Sequence, residues 1–162
     1  MIRKIFFLLF GLTLISCKSL YMPTCEENRE CTTKRLTNKS VSVKETNLGQ
    51  TYLGFADAAG TYVIHHKSER INDNPRLQDA GHVEEIIIEL PAESLEITLQ
   101  DEALSEVNAY FIRRCFCRGL AGTFPIEKGT LKIKHNKDFT EIDFHYTKPP
   151  TEETGHLKFK IK

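Results

Sequence analysis

The sequence predicts an all-β fold, an antiparallel β-sandwich or small barrel of about seven strands behind a short N-terminal tether. Three observations carry this. Segments with strict apolar–polar alternation recur beyond Gln50, and turn residues separate them at intervals of about 8 to 15 positions. One short run apart, no apolar stripe at helical spacing competes with them.

The elements follow in chain order. Residues 1–16 hold a basic start, Arg3 and Lys4, and an apolar run from Ile5 to Ile15. A membrane-crossing helix needs about 20 apolar residues, so this run has the proportions of an export signal rather than of a span. From Cys17 to Gln50 the chain is rich in Thr, Asn, Lys and Glu and reads as a tether, with Cys25 and Cys31 as points at which it is pinned to the domain. Residues 51–162 form the β domain. Strands are expected at Thr61 to His66, at Val83 to Leu90 and around Leu95, Ile97 and Leu99. A single helical turn over Asp101 to Val107 comes next, then a strand over Asn108 to Cys117. The last three strands carry Leu131 and Ile133; Ile142, Phe144 and Tyr146; and Leu157, Phe159 and Ile161. Each alternates with charged or polar residues and so buries one face only. Alternation of this kind suits a closed barrel and a two-sheet sandwich equally.

The apolar leader ends in Leu14-Ile15-Ser16-Cys17, which closely resembles the lipobox of bacterial lipoproteins. The resemblance implies a signal peptide over 1–16, cleavage before Cys17, and acylation of Cys17, including palmitate-type chains. At about 0.8 kcal/mol per buried CH₂, two chains anchor a protein stably. Lys18 follows the cysteine where an Asp would signal inner-membrane retention, so the resemblance implies the cell outer membrane. The closing stretch from Gly129 to Lys162 also looks a little like the last strands of β-rich surface lipoproteins.

Charge narrows the partners. Lys+Arg 22 balance Asp+Glu 22, which removes the basic excess expected of a nucleic-acid binder. The expected partners are the lipid bilayer, through acylated Cys17, and a protein of the envelope.

Four cysteines remain beyond Cys17, namely Cys25, Cys31, Cys115 and Cys117, and an even number in an exported chain points to disulfides. If Cys115 and Cys117 both sit on a strand, their side chains leave one face nearly parallel and resist bonding to each other. Loops of roughly 90 residues, closed by pairing them with Cys25 and Cys31, are worth above about 4 kcal/mol in the chain-entropy model, against about 2.4 kcal/mol for a local bridge. The expectation is therefore a long-range staple that holds Tyr21 to Leu36 over the second apolar face of the Cys115 strand. Zinc ligation by the four fits less well, because the spacing departs from C-x₂₋₄-C.

The polar stretch from His65 to His82 is the longest connection in the domain, and Asn74-Pro75 keeps it from being one helix. It is the candidate binding loop, with His65, His66, Asp73, Asp79 and His82 as its chemistry-bearing residues. Adjacent histidines on a strand face opposite ways, so a metal site there is not expected, and neither is any cofactor. Lys132, Lys134, Lys158, Lys160 and Lys162 form a stripe that a meander would pair with Glu141 and Asp143 on the middle strand. No nucleophile elbow, P-loop, zincin or dinucleotide motif occurs. The expectation is a non-enzymatic envelope lipoprotein with a binding domain. The alternative is an inhibitor or immunity-type lipoprotein that blocks an envelope hydrolase through the 65–82 loop.

Overall fold

Alternation along the chain places apolar side chains on one face of each strand, and two such faces close on each other. A computed structural model describes residues 25–72, 81–93, 96–136 and 138–162. Among the described residues nine strands form two antiparallel sheets, a sandwich rather than a barrel. They are β1 (Arg29–Glu45), β2 (Thr51–Arg70), β3 (His82–Pro91), β4 (Glu96–Gln100), β5 (Ala109–Cys115), β6 (Gly122–Pro125), β7 (Gly129–His135), β8 (Thr140–Lys148) and β9 (Glu153–Ile161). One sheet has the order β1-β2-β3-β5-β6 and the other β4-β7-β8-β9. The expected helical turn is a 3₁₀ helix over Asp101–Val107, and it buries Leu104 and Val107.

The core lies between the sheets. Tyr62, Ile64, Ile86, Ile88, Leu90 and Phe111 come from the first, and Leu131, Ile133, Ile142, Phe144, Leu157 and Phe159 from the second. The C-terminal meander forms as its alternation dictates. Lys132 and Lys158 flank Asp143, and Lys134 and Lys160 flank Glu141. Lys158 Nζ lies 2.9 Å from Asp143 and Lys160 Nζ 3.1 Å from Glu141. The lysine stripe is thus a paired outer face, each exposed pair worth at most about 1 kcal/mol.

The long β1–β2 hairpin turns a corner. Its register slips between Thr37 and Lys39, opposite Ala58 to Thr61, where Asn38 and Gly60 both adopt positive φ (54° and 80°). Thr61 Oγ1 donates to Lys39 O at 2.9 Å and closes the corner. In an extended strand ten residues span roughly 33 Å, yet the rings of Phe55 and His65 are 6.0 Å apart. The distal half of the hairpin therefore folds back over the outside of the five-stranded sheet. Val41 N donates to Glu89 Oε2 at 2.6 Å, and Val63 and Ile87, which point away from the main core, are 0% and 2% exposed beneath this flap. A Cβ at Gly60 would touch nothing, so Gly60→Ala should cost only the left-handed backbone strain of about 1 kcal/mol, read from the urea midpoint. An unchanged midpoint would show that the corner does not depend on that conformation.

Three expectations are corrected here. The part of the presumed tether from Arg29 to Glu45 is a 17-residue edge strand; its polar, Thr-rich composition reflects a strand with no fully buried residue. The second face of β5, with Tyr110 and Ile112, is only half-buried and is not packed under Leu36, which sits in β1 opposite Val63; Tyr21 and Met22 lie outside the described residues. The long-range staple does not form. Cys25 pairs with Cys31 and Cys115 with Cys117, at Cα–Cα distances of 5.8 and 5.2 Å. The reason is topological: β2 and β3 stand between β1 and β5, a separation of roughly 14 Å at 4.8 Å per strand, beyond disulfide reach. Strand β5 ends at Cys115 and the chain bends at Phe116, so Cys117 is not held on the strand face. Non-reducing peptide mapping should recover these two local bridges. A crosslink between the 25–31 and 115–117 peptides would overturn this arrangement.

Candidate binding cleft

The histidines expected in one loop are divided between the faces of the sheet. His65 and His66 lie within β2, and His82 opens β3, so the connection itself is confined to about 71–81. Asp73, Asp79 and Cys17 lie outside the described residues. His65 points outward and its Nε2 lies 2.5 Å from Glu85 Oε2, while Arg114 pairs with the other oxygen of Glu85. His66 points inward, 7% exposed, with Nδ1 2.9 Å from Thr33 Oγ1 and its ring stacked over Phe159. Burial, with smaller contributions from His65 and Arg29, holds its pKa down at about 4.

At the same end of the sandwich, Glu84 faces inward. Arg113, its cross-strand neighbour on β5, donates to Oε1 from Nε and Nη2 at 3.1 and 3.0 Å. Lys148 reaches Oε2 from the opposite sheet at 3.2 Å, and Arg29 approaches it from β1 at 3.9 Å. Arg29 is itself fixed on Ser68 Oγ and O. Burial alone would raise the Glu84 pKa; Lys148 and Arg113 together outweigh it and hold the carboxyl below the usual range. One carboxylate thus joins three strands of one sheet to β8 of the other. The polar cavity beside it, about 110 Å³, is lined by Tyr146, His66 and His156 among others. Tyr146 lies over Gly155, where a Cβ would come within 2.3 Å of the ring. Burial, reinforced by the charge of Glu84, pushes its hydroxyl pKa up.

A larger opening lies on the outer side of the five-stranded sheet. Tyr52 and Leu53 of the flap face Ile112 and Arg114 of β5 and Thr123 and Phe124 of β6 across a cleft of about 610 Å³. Cys115 and Ala121, at the two ends of the loop after β5, line the cleft, and Phe116 within that loop is 85% exposed. Leu120, Tyr52 and Phe55 are also exposed, at 38%, 47% and 40%. Tyr52 lines the cleft itself, and an exposed aromatic in a partly apolar concavity is the usual mark of a surface that another molecule covers. Nothing in the residue pattern signals this cleft, because only the corner at Gly60 carries Tyr52 and Leu53 over the paired strands β5 and β6.

Among the described residues one further group stands out: Asp143, His145 and His156, on the outer face of the four-stranded sheet. An Asp-x-His pair on an alternating strand was the available sequence signal. His156 joins it only through the β8–β9 register.

The fold and site define an all-β sandwich with a partly apolar outer cleft. Comparison with family models, with curated proteins and with solved structures finds no match for this chain.

Proposed function

We propose that the chain is a lipid-anchored protein of the bacterial envelope whose β-sandwich is a non-catalytic module for binding another protein. The observation that carries the binding role is the outer cleft, lined by the exposed Tyr52 and by Cys115 and Ala121, the chain neighbours of the exposed Phe116 and Leu120. Aromatic anchors beside a concave, partly apolar surface are what protein interfaces concentrate their energy on. The half-buried Glu84 and the buried Glu85 and His66 are each engaged with partners that hold strands together, which supports structural rather than catalytic work for them. The anchoring rests on the lipobox at Leu14 to Cys17, and two acyl chains suffice for it.

Photo-crosslinking in the native envelope tests the binding role. A crosslinker at position 116 should capture a discrete protein adduct that the same crosslinker at position 134, on the outer face of the other sheet, does not. Equal capture at both positions, or none at 116, would reject the cleft as the interface. Should the captured protein be a hydrolase inhibited by this chain, the inhibitor reading would be the specific form of the proposal. The anchor has its own test: Cys17→Ser should abolish incorporation of labelled fatty acid and release the chain from membranes. Continued labelling of that variant would dispose of the lipobox reading.

A further inference from the structure

Asp143 and His145 are two residues apart on β8 and share its outer face, while His156 on β9 stands directly opposite His145. The two imidazoles stack with centroids 3.8 Å apart and planes inclined by 11°. Their Nε2 atoms converge on one oxygen, Asp143 Oδ1, at 3.4 Å from His145 and 2.9 Å from His156. All three ligand atoms lie within 4.8 Å of one another. Ligands bound at 2.0–2.1 Å around a tetrahedral ion stand roughly 3.4 Å apart, so the donor atoms are close enough to share one ion once the two exposed rings tilt out of their stack and the lone pairs in their planes converge.

We propose that Asp143, His145 and His156 form a surface site for one divalent late first-row transition ion, with zinc the representative case and solvent completing the coordination. Two imidazole nitrogens and one carboxylate oxygen are the donor set that such ions prefer, whereas calcium and magnesium call for oxygen throughout. The side chains of His145 and His156 are 57% and 46% exposed, so an ion and its water reach the site without opening the fold. The backbone beneath is firm: Ile142 and Phe144 are 0% exposed and Leu157 5%, all packed between the sheets. Lys158 Nζ donates to Asp143 Oδ2 at 2.9 Å and leaves Oδ1 to the histidines. Its ammonium, and that of Lys132 on the other flank, oppose a second cation. The site is therefore expected to bind more weakly than its ligands alone would allow.

Isothermal titration of the full chain with ZnCl₂ in a non-chelating buffer at neutral pH tests this. The expected result is saturable binding of one ion per chain. His145→Ala and His156→Ala should each weaken it by about tenfold or more, and Lys158→Ala should tighten it several-fold. His65→Ala and His82→Ala should leave it unchanged. Melting curves of the exposed variants confirm that they fold, and His156→Gln serves as a second variant should His156→Ala melt early. Cobalt(II) in place of zinc should give the visible absorption of a four-coordinate ion. Absence of saturable binding, or binding indifferent to both His145 and His156, would overturn the proposal.

Discussion

Replacing Glu84 with Ala should lower the stability of the domain by about 3–5 kcal/mol, because it leaves three cations near one another with no counter-charge. Arg113 is 4% exposed and has nowhere to turn. Lys148 and Arg29, with side chains 14% and 9% exposed, are scarcely freer. For a chain of this size such a loss lowers the melting midpoint by roughly 10 °C or more. Arg113→Ala alone should also be costly, since it removes both guanidinium donors to Oε1 and leaves the carboxylate to Lys148 and Arg29. The double variant should lose less than the sum of the two, and the non-additivity measures the coupling between them. The exposed pair Lys160–Glu141 supplies the contrast. There the same double-mutant cycle should return no more than about 1 kcal/mol. Strictly additive losses at Glu84 and Arg113 would show that the two side chains act by packing and not as an ion pair.

What the sequence made legible follows from what each segment has to satisfy. The meander β7–β8–β9 was readable because one face is core and the other is charged, so every second residue reports its side. Even its charge pairing, Lys158 to Asp143 and Lys160 to Glu141, was implied by register. Strand β1 and the distal half of β2 were not readable. Their residues, such as Ser40, Ser42, Gly54 and Ala58, serve a flap that is half exposed on both faces, and alternation has nothing to mark there. Glu84 and Glu85 were hidden inside a strand that otherwise reads as apolar. They occupy opposite faces, Glu84 half-buried and Glu85 buried, and each is withdrawn from water only because an arginine of β5 and a partner from a third strand arrive to meet it. The disulfide expectation failed on a neighbouring ground: chain entropy favours long loops, but it knows nothing of the two strands that keep Cys31 and Cys115 apart. For the candidate site, the sequence offered the histidines of β2, which the pleat separates, and missed Asp143, His145 and His156, which a hairpin register brings together. Local pattern locates faces of strands; contacts between strands distant in sequence are set by topology.

The domain should also lose stability on mild acidification, and His66 is the cause. Its ordinary pKa is 6.5, and burial in the folded chain lowers it to about 4. Between these values the unfolded chain takes up a proton that the folded chain refuses, so the unfolded state gains and stability falls as the pH drops. The full difference of about 2.5 pH units corresponds to roughly 3 kcal/mol, with about 2 kcal/mol already lost by pH 5. Above pH 7 the contribution is flat, because the histidine is neutral in both states. Glu84, whose folded pKa is lowered, adds its own loss only below the ordinary glutamate range, so the interval from pH 6.5 to 5 separates the histidine from Glu84. His66→Gln removes the titration while keeping a polar group near Thr33. Its stability at neutral pH will be lower, since the stack on Phe159 is lost, but its urea midpoint should change little across that interval while the parent falls steeply. Parallel pH dependences for parent and variant would mean that another group carries the acid sensitivity, and that His66 is able to hold its proton inside the sandwich.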